Sequence, residues 1–174
     1  VSPIAVEAVS TPTHDVRTLI GELDAFLASE YSPEQRHGLP LDALFRPGVR
    51  FFLARLGGSA VGCGGVALLD GFGEVKRMYV RESARGRGVA RALLSRIDME
   101  TAAAGLAVLR LETGARQSAA MRLYERAGFR RCEPFGEYAS MSPASIEASV
   151  FYEKLLGRDE AIRSTALGAA NPSL

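Results

Sequence analysis

Seven consecutive residues, Arg85, Gly86, Arg87, Gly88, Val89, Ala90 and Arg91, interleave glycines with cations between a strand-like segment and a helix-like one. Glycine lets backbone N–H groups approach an anion with no Cβ in the way. A helix start adds N–H groups that have no intrahelical acceptor, together with the positive end of the helix dipole. The chemistry implied is a cradle for a diphosphate, with arginines adding charge around it. From Lys76 to Arg96 there are seven basic residues and one acidic residue, Glu82, so a local anion site exists in a chain whose net charge is only +1. Two other phosphate loops do not fit the letters. A Walker A loop needs Gly-Lys-Ser/Thr, whereas Gly88 is followed by Val89 and Ala90. A dinucleotide fingerprint needs glycine or alanine three residues after Gly88, where Arg91 stands, and it follows the first strand of a βαβ unit.

A second constellation lies downstream. Gln117, Ala120 and Tyr124 are spaced i, i+3 and i+7, which on a helix is one face. That face can bring a carboxamide and a phenol to the same ligand. The first run fits the acetyl-CoA pattern Arg/Gln-x-x-Gly-x-Gly/Ala, from Arg85 to Ala90. The second fits Asn-x-x-Ala-x-x-x-Tyr-x-x-x-Gly-Phe from Gln117 to Phe129, with Gln117 in place of the usual Asn. Both patterns, in this order and spacing, make the chain resemble the GNAT superfamily of N-acyltransferases. The resemblance runs from about Ile4 to Leu156.

The resemblance implies a division of labour. Met78, Tyr79 and Val80 would bind the pantetheine arm of acetyl-CoA through their backbone, in a gap between their strand and the next. A backbone N–H near Met78 or Tyr79 would polarise the thioester carbonyl as an oxyanion donor does. Arg85, Gly86, Arg87, Gly88, Val89, Ala90 and Arg91 would hold the diphosphate, and Gln117, Ala120 and Tyr124 would line the cofactor site. Tyr124 would protonate the departing thiolate, a modest task for a thiol of pKa about 8.5. Deprotonating an amine of pKa about 10 is harder and calls for a base. Two carboxylates are candidates, Glu74, eleven residues before Arg85, and Glu112 on the following strand, and Glu74 is favoured. Each residue also has a plainer reading. Tyr124 reads as a core aromatic, Gln117 as a helix-start residue, Glu74 as a hairpin charge, and at least one of the arginines as a solvated surface charge.

These residues need elements to position them. Residues 4–8 read as a strand. Thr13, His14 and Asp15 open a helix whose apolar positions Val16, Leu19, Ile20, Leu23, Phe26 and Leu27 recur every three or four residues. A short helix is expected at 41–45. Strand-like runs at 50–56, 60–69 and 73–80 are broken by Gly57-Gly58 and Asp70-Gly71, which are hairpin signals. A helix follows at 88–104 with Ala90, Leu93, Leu94, Ile97 and Ala104 as its buried stripe, then a strand at 107–112 and a helix at 118–127. A strand at 129–133, a loop at 134–145 and a strand at 150–156 complete the pattern. The expected fold is α/β, a mixed and mostly antiparallel sheet of six to seven strands with helices on both faces. Residues 1–157 are expected to form a single domain and 158–174 a flexible tail.

Composition limits the rest. With 174 residues, 47% hydrophobic and 24% charged, the chain reads as an ordinary soluble globular protein. Nothing marks a nucleic-acid or membrane partner, and a cytoplasmic location is expected. Cys63 and Cys132 read as free thiols, and no metal site is expected from two histidines, His14 and His37, to which no chemistry is assigned. In the GNAT fold, residues 29–45, 70–73 and 135–142 would shape the acceptor site, offering Tyr31, Arg36, Phe45, Phe72, Tyr138, Glu30 and Glu34. The acceptor expected is a small-molecule or amino-acid-like amine, with a peptide N-terminus as a further candidate. A homodimer is compatible with the fold. The rival function is a non-catalytic acyl-CoA-binding sensor or interaction module, which would need the cradle but neither acid nor base.

Overall fold

Successive side chains of a strand point to opposite faces, and in Val49–Leu56 (β2) both faces are apolar. Phe51 and Leu53 join one cluster with Val16, Leu19, Ile20 and Cys63. Phe52 and Ala54 join another with Val89, Leu93, Leu94 and Ile97. A strand apolar on both sides must lie inside a sheet covered on both sides. In the computed structural model, which describes residues 3–157, it does. The expected tail, 158–174, lies outside the described residues.

The strands are Ile4–Val9 (β1), β2, Ser59–Leu68 (β3), Gly73–Val80 (β4), Val108–Gly114 (β5), Arg130–Arg131 (β6) and Ser149–Leu155 (β7). They form one seven-stranded sheet in the order β1-β2-β3-β4-β5-β7-β6. Every neighbouring pair is antiparallel except β4 and β5, which run parallel. Helix His14–Glu30 (α1) covers one face through Val16, Leu19 and Ile20. Helices Val89–Ala103 (α2) and Ser118–Arg126 (α3) pack on the other. Thr13 caps α1, its Oγ1 accepting from the Val16 N–H at 3.4 Å. Burying a side chain such as Leu19 or Leu93 contributes about 1.5–3 kcal/mol relative to leaving it in water.

Three local expectations are corrected. The buried stripe of α2 is Val89, Leu93, Leu94, Ile97, Asp98 and Thr101, without Ala104, which is exposed, and with Ala90 only half-buried. Apolar periodicity could not find Asp98 and Thr101, because their burial depends on partners. Lys154 Nζ lies 2.5 Å from Asp98 Oδ2, and Thr101 donates to the Ile97 carbonyl at 2.8 Å. The strand expected at 129–133 shrinks to Arg130–Arg131. The loop expected at 134–145 holds a 3-10 turn, Gly136–Ser140, and a short helix, Pro143–Ile146 (α4). Ser142 starts that helix by accepting from the Ser145 N–H, with Pro143 in the first turn, where its missing N–H costs nothing.

Candidate active site

β4 and β5 are paired only at Gly73–Leu109 and Glu74–Arg110. Beyond Glu74 they diverge, while β4 stays on β3 and β5 stays on β7. The result is a gap in the middle of the sheet, bounded by two strand edges whose backbone groups are open to a ligand. A bulge shapes the β4 side of it. Tyr79 pairs with Cys63 and Lys76 with Gly65, so Arg77 and Met78 have only Gly64 opposite them. Arg77 takes φ +57°, a conformation that costs a non-glycine residue about 1–2 kcal/mol. Its surroundings hold it there. The guanidinium is nearly buried and sits 2.5 Å from Asp24 Oδ1, and the Cys63 thiol meets its carbonyl oxygen at 3.6 Å. Gly64 leaves room for Met78, whose Sδ a Cβ at that position would strike.

Helix α1 is fastened over the gap at two points. Asp24 holds Arg77, and Glu22 accepts from Arg81 at 2.7 and 3.0 Å. That ion pair holds the Glu22 carboxyl below its usual range, its hydrogen bond with Arg81 outweighing the opposing effect of burial. Leu23, between the two anchors, therefore faces the gap, where it lines both cavities of the site.

The larger cavity, about 540 Å³, runs from the gap to the start of α2. Leu23, Phe26, Val80 and Leu123 give it apolar walls, and Arg85, Arg91 and Arg116 supply cations. Gly86 and Gly88 have φ of +71° and +87°, and Gly88 is the residue from which α2 starts. The first-turn N–H groups of α2 are thus presented at the end of this cavity. Met78, Tyr79, Val80, Arg85, Gly86, Gly88, Val89, Ala90, Arg91, Gln117, Ala120 and Tyr124 all line it. Arg87, expected with them, is exposed and is not among the lining residues. Apolar walls leading to a glycine-and-arginine rim suit an elongated ligand with an anionic end, as the cradle reading requires.

The smaller cavity, about 100 Å³, is lined by Tyr31, Arg36, His37, Glu74, Lys76, Glu112 and Tyr138 among others. Lys76 Nζ is 2.6 Å from Glu74 Oε1, and the Tyr138 hydroxyl donates to the same oxygen at 2.7 Å. Burial pushes the Tyr138 phenol far above its usual range, and the Glu74 carboxylate reinforces the shift. Burial also raises the Glu112 carboxyl, against the hydrogen bond it accepts from Ser149 at 2.6 Å. Leu23, Met78, Gln117 and Tyr124 line both cavities, so the two meet there. The Tyr124 ring packs edge-on against Phe129 at 5.8 Å, as a core aromatic does. Its hydroxyl has no hydrogen-bond partner among the described residues, and burial holds the phenol well above its usual range.

The match to known proteins follows this geometry. The family described as Acetyltransferase (GNAT) domain matches residues 47–131, from just before β2 to β6. A curated relative from Azospirillum brasilense, IAA acetyltransferase, is 45% identical over 157 residues, covering 88% of this chain and 99% of that protein. The chain belongs to the GNAT N-acetyltransferase superfamily. Other GNAT relatives include the uncharacterised N-acetyltransferase YsnE of Bacillus subtilis, 40% identical over 117 residues, 66% of this chain and 77% of that one. A crystal structure from Klebsiella pneumoniae, assigned as an acyl-CoA N-acyltransferase, has a TM-score of 0.71 at 32% identity, covering 88% of this chain and 98% of that one. This GNAT protein is an acyl-CoA-dependent N-acetyltransferase. Among its described residues no helix is long and apolar enough to cross a membrane, and no group of three or more His, Cys, Asp and Glu side chains could hold a metal.

The GNAT patterns fall mainly on the larger cavity and say little of the smaller one. Of the acceptor-region residues expected, Tyr31, Arg36 and Tyr138 line the smaller cavity, whereas Phe45 packs on Phe51 and Phe72 on Phe135. His37, assigned no chemistry from sequence, lines it too, its Nε2 2.9 Å from the Ser145 carbonyl. Lys76 was legible in principle, since i and i+2 on a strand share a face and Glu74 stands two residues before it. Arg116 was not. It is placed by a bond to the Glu30 carbonyl at 2.6 Å and by the Tyr31 ring, and no local pattern announces either.

Proposed function

We propose that this enzyme transfers the acetyl group of acetyl-CoA to the primary amine of a small-molecule or amino-acid-like acceptor, by direct attack of the amine on the thioester. The observation that carries this reading is the meeting of two cavities at Leu23, Met78, Gln117 and Tyr124. One has the form of an acyl-CoA site, and the other is small, charged and lined by carboxylates. Acetyl-CoA would lie in the larger, its diphosphate on the glycine loop and its thioester at the junction. The amine would approach from the smaller. Its volume of about 100 Å³ favours a compact acceptor over a long peptide.

In this reading the amine nitrogen attacks the carbonyl carbon, a C–N bond forms and the C–S bond breaks. Negative charge develops on the carbonyl oxygen. The bulge leaves Met78 outside the β3 ladder, so its N–H is a candidate donor to that oxygen. The thiolate would take the Tyr124 hydroxyl proton, which the raised phenol retains at neutral pH. Glu74 would take the amine proton, directly or through one water. Its Oε1 is held by Lys76 and Tyr138, while Oε2 has no protein donor among the described residues. A second assignment, Glu112 as base, is favoured by one observation. Burial raises its carboxyl, and a carboxylate of raised pKa is the stronger base.

Incubating the protein with acetyl-CoA and an amine library tests the reading. The library should hold amino acids, polyamines and short peptides, with IAA, which the name of the Azospirillum relative carries, offered beside it as a non-amine comparison. Mass spectrometry should show one added acetyl group on small amines. Exclusive modification of peptides would move the acceptor class to peptide N-termini.

A further inference from the structure

Every cation of the smaller cavity but one has an acidic or carbonyl partner among the described residues, although Arg77 Nε, like Arg36 Nε, is buried without an acceptor. Lys76 is on Glu74, Arg77 is on Asp24, and His37 faces the Ser145 carbonyl. Arg36 has no ion pair and no side-chain hydrogen bond among the described residues, and its Nε is buried without an acceptor. A guanidinium carries five N–H donors and stays charged at any physiological pH. Leaving such a donor buried and unsatisfied is costly, and a ligand anion removes the cost.

The position of Arg36 says which ligand. It lines the smaller cavity and not the larger one, so its anion is not the cofactor diphosphate. It is placed by a turn closed on itself. The Ser32 N–H bonds Gln35 Oε1 at 3.2 Å, and the Arg36 N–H bonds the Pro33 carbonyl at 3.3 Å. The same cavity is lined by Glu74 and Glu112, which favour an ammonium. We infer that Arg36 binds a carboxylate on the acceptor, so that the substrate class is amino acids and related amino carboxylates. This rests on the reading of the smaller cavity as the acceptor site. A carboxylate matches the planar fork of guanidinium with two parallel hydrogen bonds. Its single charge balances one cation, whereas a phosphate dianion would add repulsion from Glu74 and Glu112. A zwitterion is held at both ends, and its amino group is thereby aimed rather than merely admitted.

The test is a matched panel. The L-amino acids, their amides, their decarboxylated amines and O-phosphoethanolamine are each offered with acetyl-CoA, and thiol release gives kcat/KM. Wild type should prefer at least one acid over its own amide by about ten- to hundredfold, the factor expected of a charged hydrogen-bonded pair. Arg36→Gln should collapse that ratio toward one, mainly through KM, and Arg36→Lys should restore part of it, with circular dichroism confirming the fold of both. Amides or plain amines used as well as the acids by wild type would overturn the inference, as would preference for O-phosphoethanolamine. So would an Arg36→Gln variant that loses acid and amide by the same factor. Acetylation of none of the compounds would overturn the acceptor reading itself, and this inference with it. Acetylation of amines with no carboxylate preference would leave that reading standing and remove only the role of Arg36.

Discussion

The Tyr138 hydroxyl donates to Glu74 Oε1 at 2.7 Å across 64 residues of chain. Lys76 Nζ closes the triangle, 2.6 Å from the same oxygen and 3.0 Å from the Tyr138 oxygen. The connection between β6 and β7 thus reaches back to hold a carboxylate at the point where β4 and β5 part. Fixing one oxygen of a carboxylate orients the other, and a base acts only when its free oxygen lies within reach of the proton.

Glu74→Gln keeps that shape and removes the basicity. The rate should then follow the fraction of amine already deprotonated in solution, which rises tenfold per pH unit below an amine pKa of about 10. The variant is expected to be slow near neutrality and to recover steadily between about pH 6 and about pH 10, while wild type levels off earlier. Profiles of kcat/KM that superimpose would transfer the role to Glu112 or to an acceptor that binds already deprotonated.

Tyr124→Phe keeps the ring on Phe129 and Tyr152 and removes the unpartnered hydroxyl. Turnover should fall, by about a hundredfold if the phenol is a full general acid and by less because a thiolate leaves fairly well unaided. Acetyl-CoA affinity should hold. Wild-type turnover would reduce Tyr124 to a packing residue.

Gly88 has φ +87° and begins α2. A Cβ there meets only Ile4 Cδ1, at 3.7 Å, so the penalty of Gly88→Val is conformational and falls on the loop rather than the core. The variant should stay folded by circular dichroism and lose acetyl-CoA binding by calorimetry. Gly88→Ala, less restricted than Val, should lose part of it. Unchanged affinity in the folded valine variant would remove the cradle from the site.

Glu112 gives a stability prediction whose sign depends on pH. Burial raises its carboxyl above the usual 4.5, so the folded state holds this proton more tightly than the unfolded chain does. That contribution is fully present at low pH and is lost as pH rises through the raised value. At about pH 7 the ionised group opposes folding, and Glu112→Gln should raise Tm there, with the gain shrinking as pH falls toward about 4. A lower Tm at neutral pH would show that Ser149 and the nearby cations more than repay its burial.

Much of the larger cavity's lining was legible in the sequence because its determinants are local. Gly86 and Gly88 are needed for backbone angles within four residues of one another, and Ala120 and Tyr124 share a face through helical periodicity alone. The hairpins at Gly57-Gly58 and Asp70-Gly71 fix the meander for the same reason. What the sequence could not decide depends on contacts far apart in the chain. Hydrophobic periodicity has no term for Asp98, buried because Lys154 reaches it from β7. Nor could it add His37 and Lys76 to Arg36 and Tyr138, which the resemblance had placed in the acceptor region, or show Arg36 without a partner among the described residues. The gap itself belongs to tertiary structure. β4 and β5 part after Glu74 while each keeps its other partner, β3 and β7. The hydrogen bonding of a strand with partners on both sides is a property of the whole sheet, and no stretch of residues carries it alone.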